Sequence, residues 1–273
     1  AILFPTENQS STAANRFSFG RDVVLFPGKC IEIQYDLTST RWRLISVAGI
    51  YDDVQHLYFN EVFNAPVSGT SGEWSFWDIV SAGSVSATAA VAGRWAGISV
   101  STGSSATGSG YVASKDVFFE NDNTSGTANW AYCKAVIKTP ASLSDASNDY
   151  TVRVGFNAQV AGGGATDGIY VDYNHATHSG NWSCATTNAG NTQRNNSGVA
   201  VAASTNYVLE VVFRPNLSAE FFINGTRVAT NDTFVPASTG DDFVVMSEIE
   251  KSVGTTSRDI TVYTLQTSIA LVK

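Results

Sequence analysis

Cysteine, methionine, proline and charge are all scarce in this chain of 273 residues. There are three cysteines, one methionine and six prolines, and charged residues make up only 15%. Cys30, Cys133 and Cys184 lie far apart and are odd in number, so no disulfide framework holds the chain together. No Cys-x-x-Cys or His-x-x-x-His spacing offers a zinc site. Basic residues are the scarcer sign: 16 Lys plus Arg stand against 24 Asp plus Glu, a net charge of -8. A field of that sign repels a polyanion, which excludes general nucleic-acid binding. Long apolar runs are missing too. No window reaches the roughly 18 residues of a membrane span. The opening AILFPTENQSS lacks a positive segment followed by an apolar one, so no signal peptide is expected there.

What is abundant points to strands. Ser (31) and Thr (27) supply about a fifth of the chain, joined by 23 Gly, 15 Phe and 10 Tyr. Turn formers at this density, mixed with β-branched and aromatic residues, favour short strands over helices. Ile31, Ile33 and Tyr35 alternate with Glu32 and Gln34, and Trp42 and Leu44 begin a second strand after a polar loop: a hairpin. Two strands alone are barely stable in water, so a module over residues 1–50 is expected to share its core with identical neighbours. Residues 51–72 read as a linker. Within it Val54, Leu57 and Tyr58 stand at near-helical spacing, which predicts a short helix in Tyr51–Phe63. Residues 73–273 then carry strand-like runs at the intervals of a sandwich or jelly roll, among them Tyr132–Lys138, Tyr150–Gln159, Gly168–Asn174, Tyr207–Arg214 and Phe243–Glu250. In FFINGTRVA, Asn224-Gly225 between two strand-forming runs predicts a type I′ hairpin.

Two stretches resemble bacteriophage structural proteins. PGKCIEIQYDLTSTRWRLIS is similar to a hairpin of phage tail and fibre proteins, where such modules intertwine as trimers. LSDASNDYTVRVGF, DGIYVDYNHATHSGNW, SGVAVAASTNYVLEVVF, AEFFINGTRVAT and KSVGTTSRDITV follow the order of a concanavalin A-like jelly roll, in the version found in phage tail, head-fibre and neck proteins. The resemblance implies an all-β fold, a jelly-roll sandwich after a small N-terminal β module. It also implies a virion component, such as a tail or head fibre or a decoration protein. The partners it implies are further copies in a homotrimer, other virion proteins and a host-surface glycan, with no membrane insertion and no cofactor.

The candidate chemistry is sparse. Glycoside hydrolases of related fold place two carboxylates on one strand face, which requires even spacing. Glu248 and Glu250 satisfy that, but the Glu-x-Asp-x-(x)-Glu pattern lacks its third carboxylate. Two glutamates on a solvated sheet face are the plainer reading. Glu120 and Asp122, in FFENDN, could offer oxygens to calcium or simply form a polar turn. No Gly-x-Ser-x-Gly elbow presents a serine, and the three histidines (His56, His175, His178) complete no relay. Sugar binding needs an aromatic plane and planar polar groups. Asp172, Asn174, His175 and Trp182 supply both within eleven residues; edge packing by Trp182 and turn hydrogen bonds are the alternative. The residues point to a protein of contact and not an enzyme.

Seven Asn-x-Ser/Thr triplets, including those at Asn195, Asn224 and Asn231, would be glycosylation acceptors if the chain were instead a secreted lectin-like carbohydrate-binding domain; in a chain this rich in Asn, Ser and Thr, chance is the plainer source.

Overall fold

Alternation of apolar and polar residues at period two gives each strand one face to bury, and the chain satisfies this with two packed antiparallel sheets. The computed structural model describes residues 2–4, 23–25, 29–36, 41–49, 54–62, 69–74, 77–88, 97–114, 119–121, 130–158, 166–214, 218–236 and 241–272. The chain divides into two compact units. The first comprises Ala1–Gln55 with Leu271–Lys273, the second His56–Ala270.

In the first unit β1 (Ile2–Phe4) pairs with β2 (Val23–Leu25), and β3 (Lys29–Asp36) pairs with β4 (Arg41–Gly49). The second pair is the hairpin expected from Ile31, Ile33 and Tyr35, with a bulge between Glu32 and Ile33.

All but the first two residues of β5 (Val54–Val62) belong to the second unit, which continues with β6 (Gly69–Trp74), β7 (Trp77–Thr88), β8 (Gly97–Ser101), β9 (Gly108–Ser114) and β10 (Phe119–Asn121). The helix expected in Tyr51–Phe63 is replaced by β5. Its Val, Tyr and Phe suit a pleated surface, and β20 supplies the hydrogen-bonding partner that an isolated short helix lacks. Then follow β11 (Trp130–Lys138), β12 (Tyr150–Asn157), β13 (Gly168–Tyr173), β14 (Asn181–Asn188), β15 (Asn191–Ala200), β16 (Asn206–Arg214), β17 (Ser218–Ile223), β18 (Thr226–Asn231), β19 (Asp241–Lys251) and β20 (Asp259–Val272). The only helical turn among the described residues is His178–Gly180.

One sheet runs β15-β14-β13-β12-β19-β9-β7, and the other runs β8-β20-β11-β16-β17-β18. β7 belongs to both: its first residues pair with β9 and its last with β8, so the hydrogen-bonded path turns the corner without a break. Between the sheets lie Val152, Val154 and Phe156 of β12, Ile169 and Val171 of β13, Leu209, Val211 and Phe213 of β16, and Phe221 of β17, all fully buried. Phe156 meets Phe213 across the gap with ring centres 6.3 Å apart. Asn224 (φ 52°) and Gly225 (φ 78°) make the predicted turn between β17 and β18.

Asn231 is a polar exception in this interior. Its side-chain amide is wholly shielded from water and donates to the carbonyl of Cys184 and to Thr186 Oγ1, while its oxygen accepts from Asn195 Nδ2. Buried amides persist when they are satisfied in this way.

Candidate functional site

On the face of the first sheet turned away from that core, the register sets charged residues side by side. Arg153 at the middle of β12 stands opposite Asp172 of β13 on one side and Glu248 of β19 on the other. Asp172 in turn faces Ser183 of β14, and Glu248 faces Tyr111 of β9. A straight row, Ser183–Asp172–Arg153–Glu248–Tyr111, therefore crosses five strands. Its charges are withdrawn from water: Glu248 is 0% exposed, Asp172 4% and Arg153 9%.

Burial of this kind requires pairing. Arg153 Nη1 donates to Glu248 Oε2 at 3.2 Å and to Glu250 Oε2 at 2.8 Å. Desolvation works against the Arg153 charge, and the two glutamates more than offset it, so its pKa rises. Arg194 Nη2 donates to Asp172 Oδ2 at 2.7 Å. Burial nonetheless pushes the Asp172 carboxyl above its ordinary pKa, against the pull of Arg194 and then Arg153. Arg153 Nε is buried with no hydrogen-bond partner, whereas Ser183, beside Asp172 in the row, adds to the interactions that pull the Asp172 pKa down.

Glu248 and Glu250 share a face, as their spacing requires, but the face is not the solvated one expected for Glu248. Both are committed to a single guanidinium. General acid–base work needs a carboxyl free to hand over a proton and a second with a separate task. Ser252, where a third carboxylate would stand, donates from Oγ to Asp149 Oδ2 at 2.7 Å. Beside Glu250 opens a cavity of about 450 Å³ lined by Thr107, Gly108, Ser109, Glu250, Lys251 and Ser252. The Lys251 ammonium is buried against the carbonyls of Gly103 (2.7 Å) and Thr256 (3.2 Å), fastening two rim loops together. Burial, then Arg258, lowers its pKa.

The other candidates belong to a second cluster at the end of the sheet. Asn174 lies just beyond β13 and donates from Nδ2 to Asp149 Oδ1 at 2.7 Å. His175 Nδ1 lies 3.0 Å from the same oxygen and 3.1 Å from Ser144 Oγ, which itself donates to Asp149 Oδ1 at 2.9 Å. Burial alone would raise the Asp149 pKa; the bonds from Ser252, Ser144, Asn174 and His175 together lower it. Serine, histidine and aspartate do meet here. A nucleophilic relay, however, needs the acid and the serine on different ring nitrogens, whereas both contact Nδ1. Asn174 and His175 are thus spokes of a structural hub. The hub residues Asp149 and Ser144 carry no signal in the sequence beyond the turn-forming LSDASND.

Trp182 is not a platform over the polar face. It alternates with Ser183, points into the core, and packs edge-on against Tyr173 and Tyr207 with ring centres 5.9 and 5.3 Å away. Glu120 sits on β10 opposite Asp242, and Asp122 lies outside the described residues. Among the described residues no cluster of three His, Cys, Asp or Glu side chains could hold a metal ion.

A profile of the SO2946-like, C-terminal domain family matches residues 94–262, more than half of the chain. The chain belongs to that family. Its structure is similar to the crystal structure of the protein of unknown function SO2946 from Shewanella oneidensis MR-1, with a TM-score of 0.58, 14% identity, and 79% of this chain and 87% of that one covered. It is also similar to a GH16 protein of a mixed-linkage glucan locus from Bacteroides ovatus, solved with a G4G4G3G product: TM-score 0.51, 10% identity, 77% of this chain and 99% of that one. The fold of this SO2946-like chain is therefore an antiparallel jelly-roll sandwich of the concanavalin A-like kind, shared with glycoside hydrolases. No curated protein matches it.

Proposed function

We propose that this chain is a non-enzymatic contact module: a virion structural protein of a bacteriophage, in a fibre or decoration role, that presents its jelly roll for attachment to a host glycan or for assembly. The observation that carries the non-catalytic reading is the sharing of Arg153 by Glu248 and Glu250. The two carboxylates best placed for glycan hydrolysis are both bonded to one guanidinium nitrogen, an arrangement that gives them a shared partner and not the separate tasks of acid and nucleophile. The phage setting is supported by the five ordered sequence pieces and by the fibre-like hairpin at Pro27–Ser46. A low-charge surface rich in Ser and Thr suits repeated contact with hydroxylated ligands. The cavity beside Glu250, with Ser109 and Ser252 at its wall, offers hydroxyl and carboxylate partners for such a ligand. Trimerisation through the N-terminal module and a place on the particle surface belong to the same reading.

The test has two arms. The purified chain is incubated with bacterial surface polysaccharide and assayed for reducing ends and for retention of the polysaccharide. Retention without cleavage is expected. Release of reducing ends that Glu248→Gln or Glu250→Gln abolishes would overturn the contact reading. Immunogold labelling of phage particles is expected to decorate the capsid or tail, and unlabelled particles would remove the virion setting.

A further inference from the structure

β15 ends the first sheet: β14 flanks it on one side and, among the described residues, no strand pairs with it on the other. The β14–β15 turn is two residues long, Ala189 (φ 48°) and Gly190 (φ 79°), and Asn188 pairs with Asn191 across it. In such a hairpin the closing pair exchanges both backbone hydrogen bonds, and bonded and non-bonded pairs then alternate. Gln193 and Asn195 therefore bond inward to Thr186 and Cys184. Thr192, Arg194 and Asn196 turn their N–H and C=O groups outward, and no backbone hydrogen bond from another described residue reaches those groups.

The edge is held straight and left unguarded. From the core side Gln193 Oε1 accepts from Thr233 N and Asn195 Nδ2 donates to Asn231 Oδ1, so the intervening residues are anchored. Open edges are ordinarily protected by lysine, proline, a bulge or an inward charge. β15 contains no proline, no lysine and no acid, and its ladder is regular from Asn191 to Asn196. Its one charge, Arg194, is folded back onto Asp172. Beyond Asn196 a bulge against β14 ends the regular stretch, so the open ladder is Asn191–Asn196; β18, at the far edge of the second sheet, carries Arg227 and a bulge against β17 within its five paired positions.

We propose that the outer edge of β15 is a self-association surface, on which β15 of a second copy pairs antiparallel about a two-fold axis at Arg194. The outward donors and acceptors are self-complementary in that register: Thr192 faces Asn196 of the second copy, and Arg194 faces its own counterpart. Like charges opposite one another oppose pairing, but each Arg194 is already neutralised by its Asp172. A second copy fits better here than elsewhere, because a chain of net charge -8 repels itself where carboxylates meet and this strand has none. The two-fold contact goes beyond the proposed function and is separate from a three-fold association of the N-terminal module.

Hydrogen–deuterium exchange of the full chain is the deciding measurement. The outward amides of Thr192, Arg194 and Asn196 are expected to become protected as concentration rises to about 100 µM, a range suited to weak dimers. Thr192→Pro with Asn196→Pro removes two outward N–H groups and no ladder bond, and should weaken association at least about tenfold. Thr192→Lys with Asn196→Lys should do the same through charge and keeps the test open if the prolines prevent folding. Exchange independent of concentration, or association unchanged in the variants that fold, would overturn the proposal.

Discussion

The two sheets bury their residues on different plans. In β11, β16 and β17 of the second sheet, buried and part-exposed positions alternate, one face to the core and one to solvent. In β12 and β13 of the first sheet nearly every position is buried on both faces. A sheet with one wet face can carry charge at little cost. A sheet shielded on both faces holds charge only where each ion has a partner, and Arg153, Asp172 and Glu248 are fixed by that requirement. The same pair of residue types, arginine and glutamate, thus has different physical meaning in the two halves of one sandwich.

The sharpest way to break this contrast is Arg153→Leu. It leaves Glu248 buried without its cation and should cost about 3–5 kcal/mol of stability in urea unfolding. A loss below about 1 kcal/mol would place the row in effectively aqueous surroundings.

An intermediate effect lies in pH. Burial raises the folded-state pKa of Asp172 above its ordinary 3.8, so the folded state holds that proton longer than the unfolded chain does. Its contribution is complete below 3.8 and is lost as pH rises through the folded pKa. For Asp149 the net shift is downward, so its contribution is present above 3.8 and is lost as pH falls through the lowered value. Asp172→Asn should therefore remove a decline of stability with rising pH, and Asp149→Asn a decline with falling pH. Unfolding curves from about pH 3 to about pH 6 compare the two, and changes of the same sign would contradict the burial difference.

The smallest effect belongs to the wet sheet. Arg214 and Glu220 pair at 3.3 Å with the arginine half exposed, and Arg214→Ala should change stability by about 0–1 kcal/mol at most.

Much of the sandwich was legible because the wet sheet obeys alternation: Tyr132–Lys138, Tyr207–Arg214 and Ala219–Ile223 are strands at the predicted places. Asn224-Gly225 announced its turn because both residues accept positive φ. Strands whose polar residues obscure the period were not legible, among them Asn181–Asn188 and the Asn-rich Asn191–Ala200. Neither was the turn at Ala189-Gly190, which lacks the Asn-Gly pair. At the site, even spacing placed Glu248 and Glu250 on one face. Their partner lies 95 residues earlier than Glu248, and only strand pairing brings it near. Asn174 and His175 were correctly seen as polar and close together, but their target, Asp149, belongs to a loop that no periodicity marks. Trp182 was misread because the turn at His178–Gly180 sets the phase of β14, and a phase error of one residue reverses the face.

Asn231 has a practical consequence for making this protein. It opens an Asn-Asp-Thr triplet that an oligosaccharyltransferase would read in the nascent chain. The folded sandwich closes over that same amide. A sugar attached before folding would occupy the space that Cys184 and Thr186 need, so a eukaryotic secretory host should yield misassembled material, whereas bacterial cytoplasm should not.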